Sequence, residues 1–251
     1  MPHPPVTWPP APDWRAWRHV TKLDPDRPLP PAALEAVCAS GTDAIVVGGS
    51  TGMTQQAVLD LLARLAGAPV PVALEVSTPE SAVPGPALFF IPLVLNAPDS
   101  RWLGGAQAGA LARLLPVVGE YVPWDLLIPE AYLILNPECA AARLTGARTD
   151  LTPAEAAGWA AFAGRVLRLP ILYVEYSGRF GDMALLQAVR ENAGPAHVIY
   201  GGGIRSGREA ALAARHADTV VVGNLVYEAP ERLQETVEAV RRALPPDNPA
   251  P

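Results

Sequence analysis

Residues 171–224 read ILYVEYSGRFGDMALLQAVRENAGPAHVIYGGGIRSGREAALAARHADTVVVGN. Three short apolar runs, Ile171–Tyr176, His197–Gly201 and Thr219–Gly223, are separated by two helical segments, Asp182–Asn192 and Ser206–Arg215. The second segment opens with Ser206 and has Glu209 three residues on, a capping box. The runs are apolar at almost every position, as expected of strands covered on both faces of a parallel sheet. The same alternation extends upstream, with strands predicted at His19–Leu23, Asp43–Gly48, Val70–Ser77, Ala87–Leu93 and Leu127–Leu135. Helices are predicted at Pro31–Ser40, Thr54–Leu65, Arg101–Leu115, Pro153–Leu167 and Pro230–Leu244. The gap follows the third strand, where TPESAVPGP at 78–86 is too short and too Pro-rich for a full helix. Eight strand–helix units in 251 residues match a (β/α)8 barrel in size. An open doubly wound sheet would carry a glycine fingerprint after its first strand, and none is found there. The expected fold is therefore α/β, a single modified (β/α)8 TIM barrel with its third helix missing or degenerate. It would span residues 17–244, between a Pro-rich N-terminal extension at 1–16 and a Pro-rich tail at 245–251.

Composition narrows the partners. Half of the residues are hydrophobic and 18% are charged, a globular balance. The net charge is −6 and no basic run is present, so nucleic acid is not an expected partner. No apolar run approaches the ~18 residues of a membrane span. The opening MPHPPVTWPPAPDW lacks a basic segment followed by an apolar one, so a cytoplasmic location is expected. Cys38 and Cys139 make no disulfide framework and read as buried small hydrophobes. Of the 29 prolines, 14 lie in residues 1–31 or 245–251, so the ends read as extended chain. All the basic residues are arginine except Lys22, which points to a position wanting a compact ammonium; chance survival of one lysine is the plain alternative.

A barrel of this kind does its chemistry at the C-terminal ends of the strands. The first predicted strand ends Lys22-Leu23-Asp24-Pro25, and alternation points Lys22 and Asp24 the same way. The second ends Gly48-Gly49-Ser50, the seventh Gly201-Gly202-Gly203 and the eighth Gly223-Asn224. The last two glycine loops, with the helix starting near Ser206, predict a phosphate cup built from backbone N–H groups. Asp24 with Ser50 suits a hard divalent cation such as Mg²⁺, and Asp24 before Pro25 reads equally well as a turn residue. Glu175 sits inside the apolar run LPILYVEYSG, where a carboxylate is costly unless paired or put to use; a general base and a structural ion pair are the two readings. The four histidines show no ligand spacing, and no HExxH, nucleophile elbow or CxxC is present. In the helix RWLGGAQAGALARLL (101–115), Gly105, Ala106, Gly109 and Ala110 leave one face nearly bare. Close helix packing is the ordinary reading, and a groove for something long and apolar the functional one.

Taken in order, WRHVTKLDP, GTDAIVVGGSTGMT, LEVS, FFIPLVLN, AYLILNPECAAA, LPILYVEYSG, YGGGIRS and ADTVVVGNLVYE resemble the PcrB-like branch of the geranylgeranylglyceryl phosphate synthase family, over about Trp17 to Glu228. The resemblance implies a modified (β/α)8 barrel and a Mg²⁺-dependent transfer of a polyprenyl chain from its diphosphate to the 3-hydroxyl of sn-glycerol 1-phosphate. It implies that Lys22 contacts the glycerol phosphate and that Asp24 and Ser50 bind the metal. Tyr173, Val174, Glu175, Tyr176, Ser177 and Gly178 would line the acceptor site, with Glu175 as the base. Gly203, Gly223 and Asn224 would hold the phosphate. It further implies a prenyl tunnel along Gly105, Gly109, Ala110 and Leu114, with small Ala110 favouring a long heptaprenyl donor. A homodimer and peripheral contact with the inner face of the cytoplasmic membrane are implied as well.

Two departures matter. Pro129–Tyr132 reads PEAY where the family has E-G-Y, which would add a methyl near the acceptor. Arg179, just past YVEYSG, could serve a carboxylate if the acceptor were 3-phosphoglycerate; a 15- or 20-carbon donor is a further alternative. From another class, the chain would be a phosphosugar isomerase or a non-catalytic phosphate-binding barrel.

Overall fold

The computed structural model describes residues 8–243. The expected tail at 245–251, with Leu244 and the first seven residues of the expected extension, lies outside the described residues. Eight parallel strands close into a barrel in sequence order: β1 (His19–Leu23), β2 (Ala44–Val47), β3 (Val72–Glu75), β4 (Leu88–Val94), β5 (Leu127–Ile134), β6 (Ile171–Glu175), β7 (His197–Gly201) and β8 (Thr219–Val222). The barrel closes where Val20 of β1 pairs with Val221 of β8. All eight predicted strands are present, their ends within two residues of expectation; β4 alone runs one residue further, to Val94.

The near-continuous apolar runs follow from this architecture. Alternate residues of each strand fill the barrel interior (Val20, Val46, Leu88, Phe90, Tyr132, Tyr173, Ile199, Val221) or the layer beneath the helices (Ile45, Val47, Leu74, Leu133, Leu172, Val198, Val220, Val222). The covering helices are α1 (Pro31–Ala39), α2 (Gln55–Arg64), α3 (Gly105–Val118), α4 (Ala140–Thr145), α5 (Pro153–Ala161), α6 (Met183–Asn192), α7 (Gly207–Ala213), α8 (Leu225–Glu228) and α9 (Leu233–Arg242). After β3 the chain makes only the 3₁₀ turn Pro79–Ser81, so the third helix is absent.

Several helix boundaries differ from the sequence expectation for local reasons. Helix α3 starts at Gly105 and not at Arg101, because the Asp99 carboxylate accepts from the Arg101 N–H and winds Ser100–Leu103 into a 3₁₀ turn. Gly104, at φ +133°, then separates that turn from the helix. The predicted helix Pro153–Leu167 is capped by Thr152 and Glu155 as expected, but passes into a π-helical turn at Phe162–Val166. Helix α4 was not anticipated: the Cys139 sulfur accepts from the Ala142 N–H, and Gly146 in the left-handed region closes the other end.

The floor of the barrel, at the N-terminal ends of the strands, is filled from the segment before β1. Trp17 is buried edge-on against Phe90, with ring centroids 6.3 Å apart, and Trp14 lies edge-on to His197 at 5.4 Å. His19 is fully buried between the hydroxyls of Thr42 (2.9 Å) and Thr236 (3.0 Å). Burial pushes both His19 and His197 down to about 4. Each therefore stays neutral in the fold while the unfolded chain binds protons below about 6.5, so the stability they contribute is full above that value and is lost as pH falls towards 4. We expect the unfolding free energy from urea titrations to drop by several kcal/mol between about pH 7 and about pH 4.5, with His19→Asn showing a shallower decline. Equal slopes for both proteins would discard the assignment.

Candidate active site

Strand alternation brings one lysine, three glutamates and two tyrosines into the barrel interior, with Glu130 the lowest of them, level with Ile171 at the start of β6. Lys22 donates to both carboxylate oxygens of Glu75, at 2.9 and 2.8 Å. The Tyr132 hydroxyl donates to the same carboxylate. The Tyr132 ring stacks on Tyr173 at 4.4 Å and 8°, and the Lys22 ammonium lies 5.5 Å from the Tyr173 centroid. Glu130 is 1% exposed, and its Oε2 has no hydrogen-bond partner among the described residues. Burial, reinforced by Glu75, holds the Glu130 carboxyl well above its usual range, which favours its neutral form. A cavity of about 20 Å³ beside Lys22, Glu75, Glu130 and Tyr173 leaves room there for a single water molecule.

Glu175 is 5% exposed, at the end of β6. Burial raises its carboxyl above the ordinary value, opposed by the Lys22 charge and by the Ser177 N–H, which donates to Oε1. Lys22 is pulled down by burial and raised more by Glu75 and Glu175, so it remains an ammonium. The outcome is one cation facing the carboxylates of Glu75 and Glu175, with the Glu130 carboxyl biased towards its neutral form.

Above this cluster lies a cup lined by Lys22, Tyr173, Ser177, Gly178, Gly203, Gly223 and Asn224, seven of the sequence-predicted residues, together with Gly201 and Gly202. The N–H groups of Gly202, Gly203, Gly223 and Asn224 donate to no other described residue, which suits an anion. The glycines are sterically required. A Cβ on Gly203 (φ +57°) would stand 2.2 Å from the Arg179 carbonyl carbon, and one on Gly201 would stand 2.1 Å from the Tyr173 hydroxyl. Helix α7 does not supply the positive end expected of it. Its Gly207 N–H donates to Glu235 and its Glu209 N–H to Ser206, so two N–H groups of the first turn are already taken, and no residue of the helix lines the cup.

Other predicted members fall elsewhere. Val174 and Tyr176 belong to the layer under the helices, because alternation turns them away from Tyr173 and Glu175. Ala131 also packs in that layer, so the methyl expected near the acceptor is not there. Arg179 is exposed, and its side chain does not line the cup.

At the rim, the Asp24 carboxylate lies over Gly49, where a Cβ would come within 2.7 Å of Oδ1. Oδ1 accepts from the Asp26 N–H at 3.0 Å, an Asx turn, and burial raises the carboxyl above its usual value. Ser50 is half-buried and its hydroxyl makes no hydrogen bond among the described residues. One carboxylate oxygen and one hydroxyl remain open at the mouth of an anion cup. That donor set fits a Mg²⁺ ion that takes its remaining oxygens from water and a phosphate. No cluster of three or more His, Cys, Asp or Glu able to hold a metal occurs among the described residues. Beside this rim, Arg27 donates to the Asn224 side chain at 2.7 Å and stacks on Tyr227 at 3.7 Å.

A second opening follows from the missing helix. Without cover, the loop after β3, the outer face of β4 and helix α3 bound a groove of about 350 Å³, within the range of small-molecule sites. It starts at Val76–Thr78, just after Glu75, and runs past Phe89, Ile91, Ala110 and Leu114 to Val118, Tyr121 and Leu127. Ala110 and Leu114 line it as expected. Gly105 and Gly109 do not: Gly105 backs onto the Ser100 carbonyl, and Gly109 onto Arg113.

The description "PcrB family" belongs to a family model that matches residues 12–241. A heptaprenylglyceryl phosphate synthase of Brevibacillus brevis is 46% identical over 229 residues, 91% of this chain and 97% of that protein. A protein of the same name from Lysinibacillus sphaericus is 42% identical, covering 92% of this chain and 100% of its own length. Among solved structures, wild-type GGGPS from Thermoplasma volcanium superposes with a TM-score of 0.70 at 25% identity, over 90% of this chain and 92% of that one. The (S)-3-O-geranylgeranylglyceryl phosphate synthase of Thermoplasma acidophilum, solved with its substrate sn-glycerol-1-phosphate, gives 0.77 at 24% identity, over 90% and 93%, and speaks for the fold.

Proposed function

This chain belongs to the PcrB family, and from that premise we propose how its barrel performs prenyl transfer and on which substrates. It is a prenyltransferase that joins a prenyl chain to glycerol phosphate. The donor is heptaprenyl diphosphate, the acceptor sn-glycerol 1-phosphate and the metal Mg²⁺. The observation that carries the reading is a juxtaposition: an anion cup walled by Lys22, which is ion-paired to Glu75, and an apolar groove that starts one residue after Glu75.

The acceptor phosphate is held by the free N–H groups of Gly202, Gly203, Gly223 and Asn224. Lys22 has three ammonium protons; two are spent on Glu75, which leaves the third for the phosphate. Gly178 and the Ser177 N–H shape the opposite wall, and the latter pins one oxygen of Glu175 so that the other faces the acceptor. The acceptor oxygen bonds to the first carbon of the prenyl chain, the bond from that carbon to diphosphate breaks, and the hydroxyl proton passes to Glu175. Asp24 and Ser50 hold the metal, whose charge offsets that of the departing diphosphate. Arg27 stands on the same rim and adds a second fixed positive charge. The groove takes the apolar tail, with Ala110 leaving the path open.

The deciding assay uses radiolabelled sn-glycerol 1-phosphate with 15-, 20- and 35-carbon prenyl diphosphates, each with and without Mg²⁺. An extractable 35-carbon product that requires Mg²⁺ is expected. No labelled lipid from any donor would remove the proposal, and 3-phosphoglycerate as sole working acceptor would change its substrate. Ala110→Trp should turn preference by tenfold or more towards the 20-carbon donor, since even one methylene in an apolar site is worth about tenfold or more; an unchanged ratio would put the chain elsewhere. Asp24→Asn should raise the Mg²⁺ concentration for half-maximal rate, and an unshifted titration would count against its metal role.

No described helix is long and apolar enough to cross a membrane. Leu114, Val118 and Tyr121 are exposed beside the groove, and Phe162, Val166 and Leu167 form a second exposed apolar patch. We assign the first to peripheral membrane contact and the second to a homodimer. Vesicle flotation and light scattering, with charged replacements in each patch, separate the two.

A further inference from the structure

The far end of the groove is not closed by the barrel. Its last lining residues, Val118, Tyr121 and Leu127, lie at the floor, since Leu127 is the first residue of β5. The groove also has a wall from outside the barrel, Trp8.

The route of the chain explains how. Trp14 is anchored on His197, the first residue of β7, and Trp17 is buried inside the floor. The Arg15 guanidinium lies 4.4 Å from the Trp14 ring and stiffens that anchor. From Trp14 back to Trp8 the sequence is Trp8-Pro9-Pro10-Ala11-Pro12-Asp13-Trp14, with three prolines in six steps. Such a segment is extended and stiff, and at about 3.1 Å per residue it reaches about 19 Å. That length carries it across the floor from β7 to the foot of β5. Trp8 is 36% exposed, so its ring is not consumed by the core. A large, rigid apolar side chain held by a proline strut at the end of an apolar groove has the form of a stop.

We propose that the Pro-rich segment preceding the barrel closes the floor end of the prenyl groove, with Trp8 a specificity-determining residue that sets the longest donor accepted. The inference rests on the groove holding the prenyl chain. The barrel elements set the path and this strut sets where the path ends, so donor length would be tuned by a segment outside the folded barrel.

The test compares unmodified protein, Trp8→Ala and Trp8→Phe with 20-, 35- and 50-carbon prenyl diphosphates at saturating acceptor, with melting temperatures taken in parallel. For Trp8→Ala we expect the ratio of kcat/KM for the 50-carbon donor to that for the 35-carbon donor to rise about tenfold or more. The 20-carbon donor should be unaffected, and Trp8→Phe should keep the original cut-off. An unchanged ratio in Trp8→Ala overturns the stop. So does a loss of 35-carbon turnover with no gain at 50 carbons, which would make Trp8 a contact surface only. Unmodified protein that turns over none of the three donors defeats the prenyl reading itself, and the two failures are thus told apart.

Discussion

Glu175→Gln should fold normally and lose turnover by about 10²–10⁴-fold, the range for removing a positioned general base. Glutamine keeps the side-chain volume, and its carbonyl oxygen can still accept from the Ser177 N–H, so the loop after β6 keeps its shape. What it cannot do is take the acceptor proton. The loss should fall on kcat with KM for glycerol phosphate little changed, because in the proposed site the phosphate is held by the glycine loops and Lys22. The pH profile gives a second readout. The Glu175 carboxyl lies above its ordinary value because of burial, so the acid limb of the rate should be displaced to higher pH than that of an exposed glutamate, with activity lost as pH falls through it. In Glu175→Gln that limb should vanish from the residual rate. Near-normal turnover in the variant would take the base away from Glu175.

Lys22→Met should be worse for stability than for any simple surface charge. The ammonium bonds both oxygens of Glu75, and the two side chains are 19% and 7% exposed. Removing the cation strands a carboxylate beside Glu130, Glu175 and two tyrosines, where an unpaired buried charge costs about 3–5 kcal/mol. The residual exposure of Lys22 brings the expected cost to about 2–4 kcal/mol, or roughly 4–16 °C in melting temperature for a chain of this size. Activity should fall as well, since the phosphate loses its one ammonium. The double variant Lys22→Met with Glu75→Gln separates the two roles: stability should largely return while turnover stays low. If activity returned with stability, Lys22 would serve the fold and not the substrate.

Much of this was legible in the chain because a closed parallel barrel leaves a strong trace. Strands buried on both faces give unbroken apolar runs, and the short, proline-laden 78–86 announced the absent helix. The cup was legible for a related reason: Gly201 and Gly203 admit no Cβ without striking Tyr173 or Arg179. Glu75, Glu130 and Tyr132 were missed, although the signal was present. The argument that singled out Glu175, a carboxylate inside an apolar strand, applies equally to VALE and LIPE. Recognising them as one cluster requires knowing that the inward faces of β1, β3, β5 and β6 share one barrel interior, which is a property of barrel closure and not of any segment. Val174 and Tyr176 were over-assigned by treating a contiguous stretch as a surface, where period-two alternation sends alternate side chains behind the sheet. Gly105 and Gly109 show the same limit on a helix: a bare face is visible in sequence, but the neighbour it meets is not. Trp8 could not be placed from sequence, because nothing local says where a proline strut ends.

The missing third helix has a consequence for what counts as the complete molecule. In a regular barrel every strand's back is covered by protein; here Phe89 and Ile91 face a trough that the polypeptide does not fill. If the prenyl tail lies there, as proposed, it does the covering that a helix does elsewhere. The substrate is then a borrowed piece of the architecture: the barrel is finished when the donor arrives and is left unfinished when the product departs. Occupancy and stability become two readings of one equilibrium. A lipid is suited to this role in a way that a sugar or a nucleotide would not be, because its apolar flank supplies what an amphipathic helix would have turned towards the sheet.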